Sequence, residues 1–184
     1  VVRMFIRKSA ENGMDIFRIF DALNDFRNIQ VAVDETLKCG KHAQGCICYT
    51  TSPVHTLDKY ALMGKELEDM GVKSICVKDM AGIMGPTEAY DLIKALKSSV
   101  TVPVFLHTPA TRGLGPMTYM KAVEAGCDGI DTAISNFSGG TAQPATETMK
   151  YALEQLGYTN TLDSAKLKEI NDFFAPVKKE FLDS

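Results

Sequence analysis

Strand and helix alternate strictly along this chain, and that constrains its fold more than any other feature. β-rich runs stand at DIFRIF (15–20), Gly45–Thr50, Ser74–Lys78, Val102–His107 and Gly129–Ile134. Helical patterns lie between them, and glycines at 13, 40, 71, 126 and 157 mark helix ends. The first helix carries Met4, Phe5 and Ile6; Asn24 is expected to cap the second, with Ile29, Val33 and Leu37 on its apolar face. A third is expected over Thr56–Met70, others start at Pro86, Pro116 and Pro144, and a last one is expected over Asp163–Leu182, bent near Pro176. Strict βα alternation with a repeat of about thirty residues predicts a parallel sheet with right-handed crossovers. A complete (β/α)8 barrel takes about 250 residues, and this chain has 184. The expectation is therefore α/β: five parallel strands alternating with helices, the later part of a TIM (β/α)8 barrel, in one partial-barrel domain over residues 1–184.

Charge and cysteine content narrow the setting. The net charge of −3 gives no reason to expect a nucleic-acid partner, and no apolar run is long enough to span a bilayer. No secretory signal is found, and the five cysteines are an odd number. Cys46, Cys48 and Cys76, on strand-like runs, read as buried thiols in a reducing, cytoplasmic compartment rather than a disulfide framework. Zinc held by Cys46, Cys48 and Cys76 is a weak alternative, because these positions lack the usual CxxC spacing.

The stretch SICVKDMAG (74–82) concentrates the chemical question. With period two, Ser74, Cys76 and Lys78 share one face, and Ile75, Val77 and Asp79 the other. A parallel strand is buried on both faces, so an ammonium at its C-terminal end either reaches solvent, pairs with a carboxylate, or is reactive. Strand C-termini carry the chemistry of barrel enzymes. The other junctions on that rim are FDALND (20–25), YTTSP (49–53), LHTPATRGLG (106–115) and SNFSGGTAQP (135–144). His107 ends its strand as a rim histidine or a metal ligand, and Ser138–Thr141 is a glycine-rich turn ahead of a helix start. His55 reads as a capping or packing residue, and His42 as surface.

Taken together and in order, FRIFDALND, CYTTSPVHT, SICVKDMAG, MTYMKAVEAG, IDTAIS and SGGTAQPATE resemble the carboxyltransferase domain of biotin-dependent enzymes. That family includes pyruvate carboxylase, the oxaloacetate decarboxylase alpha chain and the transcarboxylase 5S subunit. The resemblance covers nearly the whole chain. It implies carboxyl transfer between biotin, on a biotin carrier domain, and a 2-oxo acid such as pyruvate or oxaloacetate. It also implies a divalent metal (Zn, Mn or Co) held by an aspartate, two histidines of an HTH sequence and a carbamylated lysine. Lys78 corresponds to that lysine and His107 to the first histidine; Thr141 corresponds to the threonine that shuttles a proton. A carbamate suits a divalent cation, and the metal would stabilise the enolate.

The pattern also has departures. His107-Thr108-Pro109 stands for HTH, so the second imidazole is replaced by Pro109; Ala110, Arg112 and Ala142 also differ, and no segment matches the first-strand aspartate with its neighbouring Arg and Gln. Arg112 reads either as a substitute cation near the vacated position or as a surface residue. The expectation is a chain with little activity alone. Two other readings remain: a non-catalytic partial-barrel scaffold that forms a homo-oligomer through its open edges, and a metal-independent Schiff-base lyase using Lys78.

Overall fold

A computed structural model describes residues 1–181. Helix α1 (Val2–Glu11) opens the chain. Five strand–helix units follow: β1 (Ile16–Ile19), α2 (Gln30–Lys38), β2 (His42–Cys48), α3 (Leu57–Asp69), β3 (Ser74–Lys78), α4 (Pro86–Lys97), β4 (Val104–His107), α5 (Gly115–Glu124), β5 (Gly129–Ile130) and α6 (Thr146–Gln155). Helix α7 (Ser164–Phe181) closes the described part, with Pro176 inside it. The expected end of that helix at Leu182 lies outside the described residues.

The strands form one five-stranded sheet in the order β1-β2-β3-β4-β5. All four pairings are parallel. β1 and β5 do not pair with each other, so the sheet is open, as the alternation predicts. Register aligns Ile47 with Val77 and Val77 with Leu106. Those side chains belong to a fully buried core shared with Tyr60, Leu67, Leu92, Ile93, Leu96 and Tyr119 of the helices. Close approach favours a small residue there: a side chain at Gly64 would meet the Leu96 Cδ2 at 2.8 Å, so anything larger than glycine would force the buried Leu96 to shift.

The other face of the sheet is polar. It carries Arg18 and Gln44 side by side, then Ser74, Cys46 beside Cys76, and Lys78 beside His107. Arg18 donates to Gln44 Oε1 (2.6 Å) and Gln44 to Ser74 Oγ (3.0 Å). His42, expected at the surface, instead begins β2, and its Nε2 lies 2.7 Å from Ser74 Oγ.

Three further boundaries correct the sequence reading. β2 starts three residues earlier than expected, because His42 and Gln44 satisfy their polar ends on this face. β5 is only two residues long. Asn24 does not cap α2: it sits at φ 58°, and its side-chain amide brackets Cys48, donating to Cys48 O (2.9 Å) and accepting from Cys48 N (2.7 Å). Asp25 caps a short 3-10 turn (Phe26–Asn28) instead.

Candidate functional site

Every strand points the same way, so the loops after β1 to β5 gather on one rim. Loop geometry there is set by a buried carboxylate. Asp79, fully buried, accepts hydrogen bonds from Ile83 N (3.1 Å), Met84 N (2.8 Å) and Thr108 Oγ1 (2.8 Å). It folds the turn after β3 and ties it to the end of β4. Thr108 is held again by Tyr119, whose hydroxyl accepts from Thr108 N and donates to Thr108 O, each at 3.1 Å. Pro109 is buried, and its ring lies 3.2 Å from where a side chain at Gly82 would begin. Gly82 has φ +66°, so glycine is required there by both conformation and space. Arg112 reaches neither a carboxylate nor the sheet: it donates to Ile83 O (2.9 Å), clamping the β4 loop over the β3 loop.

Lys78 and His107 are register partners at the ends of β3 and β4. The Lys78 ammonium stands 4.5 Å above the Phe20 ring centroid, a cation–π contact, and no carboxylate pairs with it among the described residues. His107 Nδ1 lies 2.7 Å from Asp131 Oδ2, and its Nε2 lies 3.1 Å from Gln143 Nε2. From β1, at the opposite edge of the sheet, Arg18 makes a two-point ion pair with Asp131, its Nη2 at 3.0 Å from Oδ1 and its Nη1 on Oδ2. Burial raises the Asp131 carboxyl, but hydrogen bonds from His107 and Arg18 outweigh it and hold the group at about 2. The hydrogen bond to Asp131 raises the Arg18 guanidinium in turn.

Thr141 is exposed in the loop 138–141, and its hydroxyl has no partner among the described residues. That loop turns through left-handed Gly139 and Gly140 and is joined to the β4 loop, where Ala110 N donates to Ala142 O (2.8 Å). Through Gln143 it also reaches His107. The three residues expected at the site therefore share one rim, with Lys78 and His107 adjacent and Thr141 at its mouth. Arg18, Asp131 and Gln143 join them unforeseen. An arginine inside FRIF was the available signal, since an arginine on a strand needs a partner.

A divalent metal does not fit the residues present. Both ring nitrogens of His107 are engaged. Pro109 offers no donor, and no group of three or more His, Cys, Asp or Glu among the described residues could hold a metal ion. The same holds for Cys46, Cys48 and Cys76, so the zinc alternative is set aside.

An open parallel α/β sheet with an ionisable cluster at its strand C-termini is the layout of part of a (β/α) barrel. The HMGL-like family matches residues 12–174, and the chain belongs to that family. It is 50% identical over 181 residues to one of the pyruvate carboxylase subunits of Methanocaldococcus jannaschii, covering 98% of this chain and 32% of that protein. It is 48% identical over 183 residues to the methylmalonyl-CoA carboxyltransferase 5S subunit of Propionibacterium freudenreichii subsp. shermanii, covering 98% of this chain and 36% of that one. Among solved structures, the carboxyl transferase domain of Rhizobium etli pyruvate carboxylase with pyruvate and biocytin is similar with a TM-score of 0.93 at 36% identity, over 96% of this chain and 31% of that chain. The chain thus spans about a third of the length of the curated relatives it matches.

Proposed function

We propose that this chain is a carboxyltransferase-domain segment that takes a 2-oxo acid at the strand rim and transfers a carboxyl group between it and biotin presented by a carrier domain, pyruvate gaining the group or oxaloacetate losing it. The observation that carries the reading is Lys78 beside His107 at the ends of β3 and β4. Lys78 is a rim cation with no paired carboxylate among the described residues, so it is available to an anionic substrate. His107, oriented by Asp131 through Nδ1, can hold or pass a proton at Nε2 once Gln143 yields. Thr141 offers an unengaged hydroxyl to move a proton between enol and biotin. Biotin, when bound, would carry the transferred carboxyl group on a ureido nitrogen.

The ligand set does not fit a metal, so the enolate lacks its strongest electrostatic stabiliser, and even one lost oxyanion donor costs about 3 kcal/mol. Turnover by this chain alone is accordingly low. Five free cysteines agree with a reducing, cytoplasmic setting, and no helix among the described residues is long and apolar enough to cross a membrane. The open sheet edges support a homo-oligomer.

Two measurements test this reading. Pyruvate titrated into the protein and followed by NMR should bind saturably, and Lys78→Ala should weaken it at least about tenfold by removing the charged partner. Oxaloacetate decarboxylation with added manganese should stay near a metal-only blank. Pyruvate binding that ignores Lys78→Ala would overturn the site; robust turnover abolished by Lys78→Ala would overturn the low activity.

A further inference from the structure

Beside the rim, a cavity of about 250 Å3 opens between the loop after β2 and the first turns of α4. Its walls are aromatic. Tyr49 and Tyr60 stack with ring centroids 5.8 Å apart at an interplanar angle of 25°. The His55 ring lies tilted on Tyr60, also at 5.8 Å. These walls are held in place: the Tyr60 hydroxyl donates to Thr50 O (2.7 Å) and accepts from Thr50 N (3.0 Å). His55 Nδ1 lies 2.7 Å from Ser52 Oγ.

Across the opening, α4 contributes Glu88 and Asp91. Neither carboxylate has an ion pair or hydrogen bond among the described residues. No lysine or arginine lines the cavity. Glu88 folds back over Gly85, into space that a side chain at 85 would fill. The negative field inside registers on Tyr49, whose phenol is pushed up to about 12 by burial first and by Glu88 second.

Ring faces carry negative quadrupole density, and the Glu88 and Asp91 carboxylates, neither of them ion-paired among the described residues, add to it. An anion would be repelled, and a neutral apolar group would leave both charges without a partner. The volume falls below the roughly 300–1,000 Å3 of drug-sized sites, which suits a small head group.

We infer that this cavity binds an organic cation, a guanidinium or alkylammonium group, between the half-buried Tyr49 ring, backed by Tyr60, and the Glu88 and Asp91 carboxylates. The cation belongs either to a free small amine or to an arginine or lysine side chain of another protein. The site shares no residue with the rim cluster of Lys78, His107 and Thr141, so it stands or falls separately from the proposed carboxyl transfer.

The chain contains no tryptophan, so its tyrosine emission is readable directly. Methylguanidinium and propylammonium are titrated at low salt, by fluorescence and calorimetry, with methylurea as the neutral control. Saturable binding of both cations is expected, with none for methylurea. The double variant Glu88→Gln, Asp91→Asn should weaken binding at least about tenfold. Both positions are exposed, and an unchanged Tm checks folding. Tyr49→Leu is an independent second variant with the same expected direction. A tripeptide with a central arginine, compared with one carrying citrulline, separates the sources. Tighter binding than methylguanidinium assigns the site to a partner's side chain, and equal binding assigns it to a free amine. Cation titrations that do not saturate, methylurea binding as well as the cations, or unchanged affinity in both variants would overturn the inference.

Discussion

Asp131 accepts from Arg18 on one side and stands 2.7 Å from the His107 ring on the other, and its titration follows from that position. Its carboxyl lies at about 2 in the folded chain against an ordinary 3.8. A depressed carboxylate contributes stability that is present above the unfolded value and is lost as pH falls through the folded one. The Tm difference between the unaltered protein and Asp131→Asn should therefore be constant above pH about 5, shrink between about 4 and 2, and vanish near 2. A difference that persists unchanged at pH 2 would mean that the ion pair is not its source. The places of Lys78 and His107 at strand ends were legible in the sequence because period-two runs announce where strands stop; Thr141 was singled out by the family resemblance. Arg18 and Asp131 were not, since a partnership across 113 positions leaves no local periodicity. Arg112 was read as either a substitute cation or a surface residue. It is exposed, but it is spent on a backbone carbonyl of a neighbouring loop.

At the scale of elements, the turn after β3 depends on one side chain. Asp79→Ala leaves the N–H groups of Ile83 and Met84 without their acceptor and Thr108 Oγ1 without its partner. Unfolding in urea should show a loss of about 2–4 kcal/mol, the range for breaking a buried, charge-assisted cluster. Thr108→Val should lose less, because it removes only one of the three bonds. The order of elements was legible throughout, since period-two runs and glycine stops are local signals. Boundaries slipped where tertiary partners overrode them. His42 looks like surface until Ser74 stands beside it. Asn24 looks like a helix cap until its amide is found on the Cys48 backbone. β5 stops after Ile130, and a lone bridge between Ala133 and Ala145 is all that follows.

For the whole molecule, the open sheet leaves β1 and β5 each with one edge that no strand pairs. Ile16 on β1 is 59% exposed and Phe20 just after it 44%, and burying such residues favours association. Light scattering should show mass rising with concentration, and Ile16→Lys on the β1 edge should shift the population toward monomer. A compact monomer at every concentration would argue against a homo-oligomer. Strand order and chain order coincide: each strand pairs with the one made just before it. A chain leaving the ribosome thus never waits for a distant segment in order to extend its sheet, and the slow closure of long loops is avoided at every pairing step. The Arg18–Asp131 ion pair, by contrast, joins β1 to the end of β5. It can form only after β5 has been synthesised, so it acts as a latch that fastens the first strand to the last on a structure already laid down.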